Sequence, residues 1–250
     1  MIFDSNALFG FDIQCNKDLS IEKTLQLMGD KKIDKALITN IGCKYYNFLK
    51  GNEETAAVVK KYPDKFLGML SFNMSQFLDV EKEIRRGLYD LNLAGIRIFN
   101  TSTGFISEWG GGIDSYAMRR VLRQVSGLKT PVFIEGGFPF ITVGALAHAF
   151  PAVPIIASGA GYGNMGEAIL AAQENDNLFL EISTLDAMDG IDVLVEYLTA
   201  DKIIFGTGMA YNSPSCEILM VQSSRITERD KEQIFSGNLL RILAGRGVNK

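Results

Sequence analysis

The sequence contains few of the residues that most often bind transition metals or cross-link a fold. One histidine, His148, and three cysteines, Cys15, Cys43 and Cys216, occur among 250 residues. The cysteines are odd in number, far apart and without CxxC spacing, whereas a zinc site needs about three nitrogen, sulfur or carboxylate ligands. This scarcity excludes zinc-finger and disulfide-framework folds, and it favours a reduced, cytoplasmic setting.

A basic excess and long apolar runs are also missing. Lysine and arginine number 25 against 29 acidic residues, which gives a net charge of -4. Nucleic-acid binding normally needs a basic face. No apolar run approaches the ~20 residues of a membrane helix, and the first residues lack the basic and apolar regions of a secretory signal. We therefore expect a cytoplasmic protein that binds neither nucleic acids nor membranes.

Short apolar runs alternate with helical patterns along the whole chain. The strand candidates end at loop-forming residues and number eight: Ile2–Asn6, Lys35–Asn40, Phe66–Asn73, Ala94–Asn100, Pro131–Gly136, Pro154–Ser158, Leu178–Ser183 and Lys202–Thr207. Eight strands separated by helices favour parallel pairing and closure into a (β/α)8 TIM barrel, a single α/β domain over residues 1–250. An open doubly wound sheet is the alternative, but it usually has about five or six strands.

Polar side chains cluster at the predicted strand ends, where barrels of this kind place their sites. They are Asp4, Asn6, Asn73, Arg97, Asn100, Glu135, Ser158, Glu181, Ser183 and Thr207. Because residues two apart on a strand share a face, we expect Asp4 and Asn6 to point inward together, and likewise Glu181 and Ser183.

Glu135 and Glu181 are the candidate acid/base residues, because two carboxylates in one pocket shift each other's pKa. Arg97 is the candidate clamp for a substrate carboxylate. The alternative is a set of buried ion pairs with no catalytic role. A further alternative is a hard cation, Mg²⁺ or Ca²⁺, held by Asp4, Glu135, Glu181 and Asn6.

Aromatic side chains in the loops complete the predicted pocket. Trp109 follows the fourth predicted strand and Tyr211 the eighth. Aromatic surface with a few polar anchors is typical of small-molecule sites. The predicted substrate-binding residues are Asp4, Asn6, Asn73, Ser158, Trp109 and Tyr211.

Several motifs follow one another in a familiar order. They are Lys61-Tyr62-Pro63-Asp64-Lys65-Phe66-Leu67-Gly68, Ala94-Gly95-Ile96-Arg97-Ile98, Ile203-Ile204-Phe205-Gly206-Thr207 and Ile234-Phe235-Ser236-Gly237-Asn238-Leu239-Leu240-Arg241. The series resembles the amidohydrolase-related family, in its branch of decarboxylases and lactone or amide hydrolases. The resemblance covers nearly the whole chain. It implies a barrel, a metal site at the strand ends and pairing into homodimers.

The chain departs from that family at each position where the resemblance implies a metal ligand. The family's histidines map to Asn6, Leu8, Glu135 and Ser158, and its aspartate maps to Gly208. Of these, only Glu135 is a good ligand. His148 belongs to the helix after the fifth predicted strand, so it does not replace them.

The resemblance and the replaced ligands lead to two predictions of function. The first is a metal-independent hydrolase or lyase that acts on a small carboxylated substrate without a cofactor. The second is a pseudoenzyme that binds a small molecule or a partner subunit without turnover. A conventional metallohydrolase would require ligands that the sequence lacks.

Overall fold

The apolar runs form parallel strands that curl into a barrel in the computed structural model, which describes residues 1–12, 17–45, 47–72, 80–99, 113–209 and 211–245. Its strands are β1 (Phe3–Asp12), β2 (Lys17–Leu19), β3 (Lys35–Asn40), β4 (Phe66–Leu70), β5 (Gly95–Ile98), β6 (Val132–Ile134), β7 (Ile155–Ala157), β8 (Leu178–Glu181) and β9 (Ile203–Ile204). Strand β2 pairs antiparallel with the end of β1. From β1 through β3 to β9, each strand pairs in parallel with the next.

The last strand returns to the first. Ser5 N–H donates to the Phe205 carbonyl at 3.1 Å, and Ala7 forms a parallel bridge with Met209. These contacts bring the two edges of the sheet together, so the predicted (β/α)8 barrel and its parallel strands are confirmed.

Helices fill the intervals between the strands. They are α1 (Ile21–Lys31), α2 (Gly42–Tyr45), α3 (Phe48–Lys61), α4 (Val80–Arg85), α5 (Tyr116–Ser126), α6 (Phe140–Ala149), α7 (Met165–Gln173), α8 (Gly190–Leu198), α9 (Ser215–Ser223), α10 (Glu228–Glu232) and α11 (Asn238–Gly245). The hydroxyls of Ser20 and Ser115 cap α1 and α5, because each accepts a hydrogen bond from a backbone N–H in the first turn. Within the described ranges, no helix is long and apolar enough to cross a membrane.

Two apolar layers follow from the alternation of side chains along the strands. The barrel interior holds Phe3, Leu37, Met69, Phe133, Ile156, Phe179 and Ile204, with Leu239, Ile242 and Leu243 of α11 packed against them. The outer layer lies between the strands and the helices, and it includes Ala36, Ile38, Ile96 and Ile98. The interior between the described strands is therefore a packed core.

Strand β1 differs from its prediction in two ways. It continues to Asp12, six residues past the predicted end at Asn6, and its register with β3 shifts between Asp4 and Ala7. This bulge interrupts the two-residue alternation, so the side chains on either side of it need not share a face.

Candidate functional site

A pocket of about 390 Å³ opens at the carboxyl ends of the strands. Its described walls come from six parts of the barrel: Asn6, Leu8, Arg97, Glu135, Gly136, Gly137, Ser158, Gly159, Ser183, Thr184, Gly208, Tyr211 and Asn212. Of the predicted site residues, Arg97, Glu135, Asn6, Ser158 and Tyr211 line this pocket, whereas Asp4 and Glu181 do not. Asn73 and Trp109, which were also predicted, lie outside the described residues.

Arg97 is the cation at the inner wall of the pocket. Its side chain is only 2% exposed and its guanidinium carbon lies 4.7 Å from the ring centre of Phe133 and 5.0 Å from that of Phe99. Nη2 donates to Asn6 Oδ1 at 2.8 Å and lies 3.7 Å from Glu135 Oε1. Burial lowers the pKa of Arg97 from its ordinary value, but an arginine keeps its charge in proteins.

Glu135 stands between two cations at the pocket wall. Its Oε1 faces Arg97 and its Oε2 lies 3.7 Å from Lys44 Nζ, with 20% of the Glu135 side chain exposed. Lys44 belongs to the short helix α2 and was not among the predicted site residues, because nothing in the sequence separates it from the other lysines. Glu135 is therefore ion-paired and still open to a ligand.

Glu181 occupies a different environment from Glu135. It is fully buried and does not line the pocket. Its Oε1 accepts from Ser183 N–H at 2.9 Å, and its Oε2 accepts from Ser183 Oγ at 2.8 Å and from Asn6 Nδ2 at 3.4 Å. Burial raises the pKa of Glu181 to about 8, against the opposing effect of the Ser183 hydrogen bonds.

The bulge in β1 separates Asp4 from Asn6. Asn6 reaches Arg97, Glu181 and Ser183 inside the barrel, donating to Ser183 Oγ at 2.9 Å. Asp4 instead accepts from Asn6 N–H at 2.9 Å and from the N–H and hydroxyl of Thr207. The expectation that both side chains point into the pocket is wrong, because the register shift leaves Asp4 bonded to Thr207 in the segment after β9.

The remaining predicted residues belong to the pocket wall. Ser158 Oγ accepts from Gly136 N–H at 2.8 Å, which joins the loops after β6 and β7. The Tyr211 hydroxyl donates to buried Asp12, which also accepts from the Tyr45 hydroxyl at 3.0 Å. These contacts fix the wall on opposite sides of the opening.

Few metal donors meet in this arrangement. The described residues contain no group of three or more His, Cys, Asp or Glu side chains that could hold a metal ion. His148 lies exposed on α6, away from the strand ends. Asn6 Oδ1 and Glu135, the donors at two of the five family positions, both face the Arg97 guanidinium.

Solved structures with the same fold cover 97–98% of the chain. They include a 2,6-dihydroxybenzoate decarboxylase in complex with 2,6-dihydroxybenzoate, with a TM-score of 0.74, 15% identity and 98% coverage of both chains. A dihydroxybenzoic acid decarboxylase from a Polaromonas species, with bound manganese and the inhibitor 2-nitroresorcinol, has a TM-score of 0.74, 15% identity, and coverage of 97% of this chain and 96% of that one.

A 4-oxalomesaconate hydratase from Rhodopseudomonas palustris has a TM-score of 0.73, 15% identity, and coverage of 98% of this chain and 96% of that one. At 15% identity, these TM-scores establish a shared fold. Among proteins of curated function, none matches the chain. The sequence profile described as amidohydrolase matches residues 34–244. That match spans well over half of the sequence, so the chain belongs to the amidohydrolase family.

Proposed function

We propose that this chain carries out metal-independent proton-transfer chemistry, as a hydrolase or lyase, on a small carboxylate-bearing substrate. The observation that carries the proposal is the position of Glu135. Among the described residues that line the pocket, it is the only carboxylate. A general acid or base has to reach the substrate within hydrogen-bond distance, and Glu135 meets that condition whereas Glu181 is covered.

The donors at the family's metal positions do not fit a divalent cation. Leu8 and Gly208 offer no side-chain donor, and Ser158 Oγ already accepts a hydrogen bond from Gly136. Arg97 places a fixed positive charge against the remaining two positions, which repels a second cation. The same charge argues against Mg²⁺ or Ca²⁺ bound between Glu135 and Glu181. We therefore assign no step to a metal.

The charges around the pocket favour an anionic ligand. Arg97 and Lys44 carry two positive charges and Glu135 carries one negative charge. With a pKa of about 8, Glu181 is largely protonated at pH 7 and does not cancel the excess. Asp4 is bonded to Thr207 and does not line the pocket. A carboxylate on the ligand would balance the remaining positive charge.

The size of the pocket and the relatives with the same fold support a small aromatic carboxylate. A volume of about 390 Å³ accommodates one substituted ring. One relative was solved with 2,6-dihydroxybenzoate and a second is a hydratase. These proteins act on substrates that carry carboxylates, which agrees with the charge excess beside Arg97.

The proposal gives the buried residues a positioning role. Glu181 orients Ser183 and Asn6, and Asn6 in turn holds Arg97 Nη2. Glu135 would then exchange the proton with the substrate while Lys44 and Arg97 stabilise its charged form. Glu181, first expected to be catalytic, acts in this scheme through Asn6 and Ser183.

A pseudoenzyme that binds the same ligand without turnover is the second candidate. The observation in its favour is that Glu135 is satisfied by two cations, an arrangement that is stable without any chemistry. Association into homodimers, implied by the family resemblance, stays a prediction for either candidate. Sedimentation velocity measures it directly.

The deciding experiment compares Glu135→Gln with Glu174→Gln, which removes an exposed carboxylate directly after α7. Both variants and the wild type are treated with chelator, analysed for metal and assayed on 2,6-dihydroxybenzoate and a panel of small esters, lactones and amides. We expect the chelated wild type to turn over substrate. In Glu135→Gln the rate of turnover should fall roughly 100-fold or more, whereas Glu174→Gln should keep the wild-type rate.

Two results would contradict the proposal. If activity disappears on chelation and returns with stoichiometric metal, the protein is a metallohydrolase and the proposal is wrong. Ligand binding without turnover, measured by calorimetry on the same panel, would leave the pseudoenzyme.

A further inference from the structure

Two hydroxyl groups in the pocket wall are held by the same kind of hydrogen bond. Ser158 Oγ, directly after β7, accepts from Gly136 N–H at 2.8 Å, and Thr184 Oγ1, after β8, accepts from Gly159 N–H at 2.9 Å. In each case the N–H belongs to a glycine in the loop after the preceding strand. Ser158 and Thr184 both line the pocket, so a ligand there meets two hydroxyls whose positions are fixed.

Each of these hydroxyls keeps a proton that it can donate. A serine or threonine hydroxyl has one donor proton and two acceptor lone pairs. The bond from the glycine occupies one lone pair of the oxygen. Among the described residues, no acceptor receives the proton of Ser158 or of Thr184. Both hydroxyls can therefore donate to a ligand.

A third donor follows the next strand of the barrel. Asn212 comes after β9 and lines the pocket. A Cβ added at Gly208 would lie 2.9 Å from Asn212 Nδ2 and 3.7 Å from Ser183 Cβ. The amide of Asn212 thus lies over the backbone of Gly208, in space that a side chain at that position would fill. It is exposed and bonds to no other side chain or backbone group of the described residues, so it too can donate to a ligand.

The three donors form an arc of the pocket wall after the consecutive strands β7, β8 and β9. We call Ser158, Thr184 and Asn212 the donor arc. None of its side chains is charged. Arg97 and Glu135 continue the wall at β5 and directly after β6. The pocket therefore has a charged part and a part that offers neutral donors.

We propose that the donor arc binds a carbonyl oxygen of the substrate, while the carboxylate of the same substrate binds toward Arg97. A carbonyl oxygen only accepts hydrogen bonds and has two lone pairs, so it can accept from two members of the arc at once. A second carboxylate would instead need a cation at this position, because an anion is costly to desolvate without one. The substrate class is therefore a small aromatic carboxylate that also carries a ketone, ester or lactone carbonyl.

This inference rests on the proposed function for the carboxylate, and it adds the second group that the ligand carries. It also places that group beside the proposed proton carrier. Ile134 pairs with Ala157 across β6 and β7, so Glu135 and Ser158 are neighbours at the ends of adjacent strands. A carbonyl bound to Ser158 lies on the side of the pocket that Glu135 lines.

The test compares probes of nearly the same shape with and without the carbonyl oxygen. They are meta- and para-acetylbenzoate and the corresponding isopropylbenzoates, in which a methyl group stands in place of the oxygen. Asn212→Leu and Thr184→Val each remove one donor, and Thr184→Ser keeps the hydroxyl. Gln26→Leu is the control, because it removes an exposed amide on α1 that does not line the pocket. Affinity is measured by calorimetry, and folding is checked by thermal melting.

We expect the wild type to bind at least one acetylbenzoate more tightly than its isopropyl counterpart. Asn212→Leu and Thr184→Val should each weaken the binding of that acetylbenzoate roughly fivefold, because each loses one neutral hydrogen bond. The isopropyl probe should bind no more weakly to either variant than to the wild type. Thr184→Ser and Gln26→Leu should bind both probes as the wild type does.

Equal weakening of both probes would mean that Asn212 and Thr184 only shape the pocket, and it would overturn the donor arc. Wild-type affinity for acetylbenzoate in both Asn212→Leu and Thr184→Val would overturn the donor arc while leaving the proposed function in place. If the wild type binds none of these carboxylates, the donor arc and the proposed function are both wrong.

Discussion

Replacing Glu181 with glutamine should destabilise the fold at pH 5 and stabilise it at pH 9, relative to the wild type. In the wild type, Glu181 is fully buried and burial raises its pKa to about 8 from an ordinary value of 4.5. Glutamine has nearly the same shape but no charge at any pH. The substitution therefore removes the titration while keeping the packing.

The sign follows from proton binding. Between pH 4.5 and about 8, folded Glu181 holds a proton that the unfolded chain has released, so the free energy of unfolding falls as the pH rises. The contribution is fully present below pH 4.5 and is lost as the pH passes the folded pKa. Over this interval of about 3.5 pH units, the loss is roughly 5 kcal/mol at about 1.4 kcal/mol per unit.

Glutamine also has a cost that does not depend on pH. Glu181 Oε2 accepts from both Ser183 Oγ and Asn6 Nδ2, and an amide group in its place cannot accept from Asn6. One lost hydrogen bond costs about 1 kcal/mol. Glu181→Gln should therefore be about 1 kcal/mol less stable than the wild type at pH 5 and several kcal/mol more stable at pH 9.

The assay is urea unfolding at pH 5, 7 and 9, followed by circular dichroism. Glu174→Gln serves as the control, because that side chain is exposed. If the difference between Glu181→Gln and the wild type is the same at pH 5 and pH 9, then Glu181 is ionised throughout this range, and our account of its role in the pocket charge is wrong.

Two further predictions test neighbouring parts of the site. Gly136→Ala should destabilise the fold by about 1–3 kcal/mol, because an added Cβ would lie 2.8 Å from Gly159 Cα; Gly163→Ala, with open space at that position, should unfold as the wild type does in urea. Burial raises the pKa of Glu217 to about 7, with a smaller contribution from Asp4, so stability falls as the pH rises from 4.5 to about 7. Glu217→Gln should therefore melt at a higher temperature than the wild type at pH 9, and an unchanged melting temperature there would contradict this.

The barrel could be predicted because its signals are local. Each parallel strand is buried on both faces, so it forms a short apolar run that ends at a polar residue, and the intervening helices carry their own caps. The first strand was the exception. Its continuation to Asp12 depends on pairing with β2. No sequence pattern between Leu8 and Leu19 predicts that pairing.

The site was harder to predict than the fold, because a residue's position at a strand end does not determine whether its side chain reaches the pocket or is buried beneath it. Glu135 and Glu181 both come from strand ends, yet Glu135 lines the pocket and Glu181 is fully buried. The bulge before Ala7 carries no recognisable sequence pattern, although it decides which side chain of β1 reaches Arg97. Lys44 enters the site through the packing of α2, which only the folded chain specifies.

Arg97 explains why a different proton carrier would be needed in this pocket. A divalent metal in a hydrolase polarises a bound water and supplies the nucleophile at neutral pH. A guanidinium offers only fixed donors and a charge that does not titrate, so it can orient an anion but cannot generate hydroxide. Glu135 is the carboxylate of the described pocket wall that lies within reach of that cation. If Glu135→Gln keeps the turnover of the wild type, Glu135 is not the proton carrier, and the proposed role of this carboxylate beside Arg97 fails.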